Sequence, residues 1–357
     1  MERHMNNNKC YEGIIASERD AQSGVNGLLF NAPSKGDSAF FSNAWSERWY
    51  KSFKAPFRLA VIGLGDVGLS VAAGLKLIAS PAIAEIGIYD IAEQRVAACE
   101  MEISQINGLD FQSTPVVIKD DKSLFDSDVI VFTASKGVPP LNSGVKDVRM
   151  YQLEQNAEIV KHYIKLAVDA NFEGMFCVMS DPVDLLCKVA LDYAQSLDSE
   201  KWHALRVRGF GLGVMYARAQ YYAEKLGIDD FMQKGRVYGP HGADLIAIND
   251  VAAGFDYELS QKLTALTINA NLAVRENGRK PYLAPALSSG ALSLVAMLEG
   301  RWQHSAIAFD NVFLGVRNRM TAAGVELDRI AYNETIATWI EQTIANLERQ
   351  YEALHTK

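Results

Sequence analysis

Gly63, Gly65 and Gly68 stand in G-x-G-x-x-G spacing directly after the apolar run 59–62, and Asp90 follows Gly68 by 22 residues. Such a set can hold a dinucleotide. The first glycine permits a tight turn out of a strand. The second lets the backbone approach a diphosphate with no Cβ in the way, and the third lets a helix pack closely on the strand. The helix expected to open at Asp66 and Val67 offers unpaired N–H groups and the positive end of its dipole to the phosphates. Asp90 can accept hydrogen bonds from both hydroxyls of an adenosine ribose. It would repel a 2′-phosphate, which favours NAD over NADP as cofactor.

The surrounding pattern supplies the elements that must position these residues. Strand-like runs lie at 58–63, 85–90, 115–118, 128–133, 174–179 and 205–209, with helical patterns at 66–79, 92–106 and 151–170. Alternating βα units of this kind predict an α/β fold: a Rossmann doubly wound parallel sheet. The second half changes character. A helix near 213–226 precedes a strand pair around 235–249, and amphipathic patterns follow at 258–277, 285–299 and 332–354. We therefore expect an N-terminal extension over 1–56, partly disordered, an NAD-binding domain over 57–208, and an α+β catalytic domain over 209–357 packed beside the sheet. The extension is Asn-, Ser- and Gly-rich early and aromatic late (Phe40, Phe41, Trp45, Trp49, Tyr50, Phe53). Its aromatic part needs a surface, on its own chain or on a neighbouring subunit.

Bulk properties narrow the functional class. The chain has 357 residues, 49% of them hydrophobic and 22% charged, which is ordinary for a globular protein with sizeable cores. A net charge of -8 argues against a nucleic-acid partner. No stretch of about 18 apolar residues offers a membrane span, and the start, MERHMNNNKCYEG, lacks the apolar core of a secretory signal. Cys10, Cys99, Cys177 and Cys187 have no metal-ligand spacing, so no metal is expected. Cys177 and Cys187 lie in apolar runs and read as buried thiols, which suits a cytoplasmic setting.

Four further segments, with the glycine fingerprint, resemble the lactate/malate dehydrogenase family. The likeness runs from about residue 57 to the C-terminus and is strongest up to His241. The first segment, 126–156, resembles the family's fourth strand and mobile substrate loop. Arg149 stands seven residues before Asn156, as does the family arginine that polarises the substrate carbonyl, and Asn156 joins it as a substrate-binding candidate. An arginine on a closing loop delivers positive charge to the developing alkoxide while water is expelled. The second segment, VMSDPVD, resembles V-S-N-P-V-D and places Asp181 where the family has an asparagine contacting substrate and nicotinamide. The third, GFGLGVMYAR, aligns Arg218 with the arginine that grips the substrate carboxylate with a planar fork. The fourth, YGPHGAD, aligns His241 with the family's proton donor and acceptor. Ser288 and Ser289, in APALSSGAL, fall near a family pocket position, and Ser289 is carried as a substrate-side candidate.

The resemblance implies an NAD-dependent enzyme reducing a small 2-oxo acid to the L-2-hydroxy acid, working as a homodimer or homotetramer. Three departures shape that expectation. Malate dehydrogenases carry an arginine after the GVP of the loop. Here Pro140 and Leu141 occupy that stretch, so a dicarboxylate is disfavoured unless Lys146 substitutes, and an apolar substrate side chain facing Pro140, Leu141 and Val145 is preferred. Met215 replaces the aspartate that would orient the catalytic histidine, and a thioether can neither orient nor stabilise an imidazolium. Asp181 replaces an amide that could both donate and accept with a group that only accepts. The pair suggests a relocated acid, with Asp181 first and Asp244 second as the new partner of His241. Two alternatives remain open: a protein that binds NAD(H) without turnover, and a dehydrogenase acting on an amine-containing 2-oxo acid.

Overall fold

The computed structural model describes residues 29–31, 39–41, 55–110, 113–136, 148–309, 311–321 and 324–355. The extension contributes two short strands, β1 (Phe30–Asn31) and β2 (Ala39–Phe41). The fingerprint follows as β3 (Phe57–Ile62), α1 (Asp66–Ile78) and β4 (Ile83–Tyr89). The βα pattern continues through α2 (Glu93–Ser104), β5 (Val116–Ile118), β6 (Val129–Phe132), α3 (Val148–Asp169), β7 (Met175–Val178), α4 (Val183–Leu197) and β8 (Val207–Gly209).

These six strands form a parallel sheet in the order β5-β4-β3-β6-β7-β8. That is a doubly wound Rossmann sheet, with its order reversing beside β3. The central strands β6 and β7 are buried along their whole length, as sheets covered by helices on both faces require. Each strand lies within about two residues of where the hydrophobic runs place it.

The second half opens with α5 (Leu212–Lys225) and α6 (Phe231–Lys234). The antiparallel pair β9 (Arg236–Tyr238) and β10 (Ile246–Ile248) and the long helix α7 (Tyr257–Glu276) come next. The pattern at 285–299 is not one helix: Pro285–Leu292 winds as a wide π-helix and Ser293–Leu298 (α8) as an ordinary one. A residue of α1 explains the close fit here, since a Cβ on Gly74 would come within 2.7 Å of Leu287 and 2.8 Å of Ala291 in the π segment.

Three strands then appear that the sequence pattern does not anticipate: β11 (Gln303–Phe309), β12 (Val312–Thr321) and β13 (Gly324–Leu327). The short β14 (Ile330–Ala331) and the C-terminal helix α9 (Glu334–His355) complete the chain. The second half is thus not simply packed beside the parallel sheet. It continues it antiparallel, in the order β8-β11-β12-β13-β2, to ten strands. The junction is thin in ladder terms, with Ala306 and Gly209 as the one registered pair between β11 and β8. A buried polar network reinforces it. Arg208 of β8 donates to Asn318 of β12 (2.7 Å), Gln303 of β11 donates to the same oxygen (3.0 Å), and Asn318 donates to Ser305 (3.0 Å). The extension belongs to this half, on its own chain: β2 pairs with the outer edge of β13, and β1 with β14. Its aromatics beyond Phe41 lie outside the described residues.

Candidate active site

A cleft of about 1430 Å³ opens between the carboxyl ends of the parallel strands and the second half, and it takes in Gly63, Asp90, Asp181, Arg218 and His241 together. This is the crevice where doubly wound sheets bind ligands.

The cofactor end follows from the backbone. Gly63 has φ of 91°, a left-handed turn, and a Cβ on Gly68 would lie 1.8 Å from the Gly63 carbonyl oxygen. Thr133 of the neighbouring strand end donates its hydroxyl to that carbonyl at 2.6 Å. A Cβ on Gly65, by contrast, would meet nothing within 4 Å. The turn is therefore closed on the protein side at Gly63 and Gly68 and open at Gly65, as a loop that admits a diphosphate must be. Gly65 caps α1, whose first turn is Asp66, Val67 and Gly68, and all four line the cleft. Asp90 accepts the Leu64 N–H (2.7 Å) and the Ala92 N–H (3.0 Å) and pairs with Arg95 at 3.2 Å. The carboxylate is thereby held at the mouth of the glycine loop. These residues fit an NAD dinucleotide: Gly65 and the α1 N-terminus would hold its diphosphate, and Asp90 its ribose.

The other end of the cleft is assembled from two loops and a helix. Asp181 lies between β7 and α4, and His241 in the loop between β9 and β10. The His241 Nδ1 is 2.7 Å from Asp181 Oδ1, and the His241 backbone N–H donates to Asp184 Oδ2 at 3.0 Å. The histidine also packs on the start of α5, where a Cβ on Gly211 would come within 2.7 Å of its own Cβ. Arg218 and Met215 stand one turn apart on α5, and Arg218 Nη1 donates to the Met215 Sδ at 3.4 Å. Burial pulls the Arg218 guanidinium below its ordinary value, partly offset by the Asp181 carboxylate. A half-buried cation on a cleft wall, held against a thioether, can take an anion as a better partner.

Other candidates fall differently. Asn156 is 1% exposed. Its amide donates to the Asp181 carbonyl (2.8 Å) and accepts from the Lys136 N–H (3.0 Å), so it braces the backbone of Asp181. Ser289 is 2% exposed, and its hydroxyl donates to Gly211 O (3.0 Å) and accepts from Val214 N–H (2.8 Å). The wide π turn thus delivers that hydroxyl to the start of α5. Asp244, the second expected partner of His241, instead accepts from Asn346 (2.7 Å) and Gln350 (2.8 Å) of α9. Arg149 falls in the first turn of α3, but its side chain, like Pro140, Leu141, Val145 and Lys146, lies outside the described residues. Sequence reasoning missed Asp184, although it ends the same VMSDPVD run. Among the described residues no group of acids, histidines and cysteines could hold a metal ion, and no helix is long and apolar enough to cross a membrane. Cys99, Cys177 and Cys187 are buried, unpaired thiols.

Comparison with known proteins agrees with this geometry. The family model described as "lactate/malate dehydrogenase, NAD binding domain" matches residues 57–201. An L-lactate dehydrogenase of Staphylococcus epidermidis is 24% identical over 327 residues, covering 83% of this chain and 97% of the relative. Among solved structures, a lactate dehydrogenase from a Medee basin deep-sea metagenome library superposes with a TM-score of 0.70 at 19% identity, over 84% of this chain and 99% of the other. A malate dehydrogenase from Archaeoglobus fulgidus in complex with NADH gives 0.70 at 22% identity, over 84% and 99%. Gly63, Asp90, Arg218 and His241 thus share one cleft in a chain whose residues 57–201 match that NAD-binding domain and which is similar to L-lactate dehydrogenases over most of its length.

Proposed function

We propose that this protein reduces a small 2-oxo acid to the L-2-hydroxy acid, with NAD as the redox cofactor. The observation that carries the reading is the convergence of Arg218 and the His241–Asp181 pair on the cleft that the glycine loop also lines. The bound cofactor supplies the hydride. Arg218 binds the substrate carboxylate, which replaces the weak thioether contact with a charge-assisted fork. His241 Nδ1 donates its hydrogen to Asp181, which leaves Nε2 as the proton carrier. Nε2 gives its proton to the carbonyl oxygen as the alkoxide develops and takes it back in the reverse direction. Asp181 stabilises the protonated ring beforehand, the task Met215 cannot perform. Arg149 is assigned the polarisation of the carbonyl.

An apolar side chain on the substrate is preferred over a second carboxylate, on the strength of Pro140, Leu141 and Val145 in the loop sequence. We place the enzyme in a reducing cytoplasm, in keeping with its buried thiols, and as a homo-oligomer. Light scattering on the purified chain reads the oligomer directly. The deciding experiment is NADH oxidation, followed by absorbance, across small, branched, aromatic and dicarboxylic 2-oxo acids, with and without an added amine. Turnover on an apolar member is expected. NADH binding with no turnover on any member would make the protein a cofactor-binding relative, and turnover that requires the amine would make the substrate amine-containing.

A further inference from the structure

A second group of charges faces the same cleft and has no part in the chemistry above. Arg275, in the last turn of α7, and Arg279 and Lys280 just beyond it all line the cleft together with Gly65, Asp66 and Val67. Lys280 Nζ reaches across to Asp66 Oδ2 at 3.4 Å, which links the second half of the chain to the first residue of α1. Arg275 and Arg279 are exposed, and neither guanidinium makes a hydrogen bond or ion pair to any described residue. Cations at a helix C-terminus commonly offset its dipole, which accounts for Arg275. Arg279 and Lys280 lie past Gly278, whose φ of 76° turns the chain out of the helix, so the dipole does not account for them.

Asp66 makes the arrangement informative. Its carboxylate stands at the N-terminus of α1, beside the loop that must receive a diphosphate, where a negative charge is the least useful one. Lys280 offsets that charge, and the two arginines add positive charge to the same mouth in a chain whose net charge is -8. A diphosphate carries two charges and several acceptor oxygens, and two unpaired guanidinium groups supply the matching donors.

We propose that Arg275, Arg279 and Lys280 are a second phosphate grip, supplied by the catalytic half, that holds the diphosphate of the dinucleotide against the glycine loop. Cofactor binding then ties the two halves of the chain together across the cleft. The proposal rests on the NAD reading of the glycine loop and is independent of turnover.

The test is binding without substrate, on the full-length protein, by titration calorimetry with NADH, ADP-ribose and adenosine. The variant Arg275→Ala/Arg279→Ala is expected to weaken NADH and ADP-ribose by about tenfold, with adenosine, which has no phosphate, within about twofold of the parent. Raising ionic strength should weaken NADH binding to the parent more steeply than to the variant. Asp66→Asn should tighten NADH by about threefold, because it removes a repelling charge and releases Lys280. Arg275→Lys/Arg279→Lys should recover part of the loss. Unchanged NADH affinity in the double alanine variant overturns the proposal. So does a loss that appears only as a higher KM for the 2-oxo acid at saturating NADH, which would assign these cations to the substrate. A parent protein that binds NADH but reduces no 2-oxo acid would sink the dehydrogenase reading and leave this one standing.

Discussion

Asp181 Oδ1 lies 2.7 Å from His241 Nδ1, while Met215, one turn before Arg218 on α5, touches the guanidinium through sulfur. The histidine therefore takes its acid from the cleft side, out of the loop between β7 and α4. Asp181→Asn keeps the size of the side chain and removes its charge. It is expected to lower kcat/KM by about 10²–10⁴ at neutral pH, while NADH affinity changes little. Steady-state kinetics and an NADH titration on the same variant check both halves. A variant as fast as the parent, or faster, would show that His241 works without this acid.

The second and third glycines of the fingerprint differ in what their missing side chains do. A Cβ on Gly68 would lie 1.8 Å from backbone, whereas one on Gly65 would meet nothing within 4 Å. Gly65→Val is therefore expected to fold with the parent's melting temperature and lose NADH binding. Gly68→Val must displace the β3–α1 turn and should lower stability by several kcal/mol. Thermal melts and NADH titration separate the two. Equal melting temperatures for both variants would contradict the packing described.

Legibility in the sequence follows a physical divide. The parallel half was readable because β3, β6 and β7 are short continuous apolar runs bounded by turn residues, and because the fingerprint requires strand, glycines, helix, strand and acid in that order. The site was readable at His241, Arg218 and Asp181 because they lie in short motifs. Strands β11 and β12 were not readable. β11 opens on the buried polar residues Gln303, His304 and Ser305, and β12 breaks its apolar start, VFLGV, with Arg317, Asn318 and Arg319, so polar residues interrupt the pattern that would mark each strand. Their hydrogen-bond partners include groups far away in the chain, such as Arg208 for Asn318. For the same reason Asn156 and Ser289 read as substrate contacts, although their polar atoms bond the backbone of Asp181 and Gly211.

His304 gives stability a pH dependence. It lies on β11, stacked on Tyr216 with ring centroids 4.1 Å apart, and burial, aided by the nearby Arg317 and Arg236 cations, lowers its pKa from 6.5 to about 3. The unfolded chain protonates this group at its ordinary value, and the folded chain only near 3. Between those values the unfolded state binds more protons, so this contribution to stability is fully present above pH 6.5 and is lost as pH falls through the window. One proton corresponds to a slope of about 1.4 kcal/mol per pH unit. His304→Phe keeps an aromatic ring on Tyr216 and removes the titration. Its stability by urea unfolding should fall less steeply than the parent's between about pH 6 and 4. Parallel curves for the two proteins would show that His304 binds no more protons in the unfolded chain than in the folded one across this window.

The N-terminal extension is a strap on the sheet edge of its own chain. Leu29 is 1% exposed within the main core, Phe30 pairs with Ile330, and Ala39 to Phe41 cover the outer edge of β13. An uncovered β13 would present a row of unpaired N–H and C=O groups, which invites pairing with other molecules. Leu29→Ala is expected to cost about 2–4 kcal/mol, lowering the melting temperature by several degrees without changing KM for NADH. Removing residues 1–41 should do more, because it adds an open edge to the lost burial. The truncated protein is expected to aggregate at concentrations where the full chain does not, as read by light scattering during a thermal ramp. If both variants melt and scatter like the parent, the edge of β13 is protected by something other than this strap.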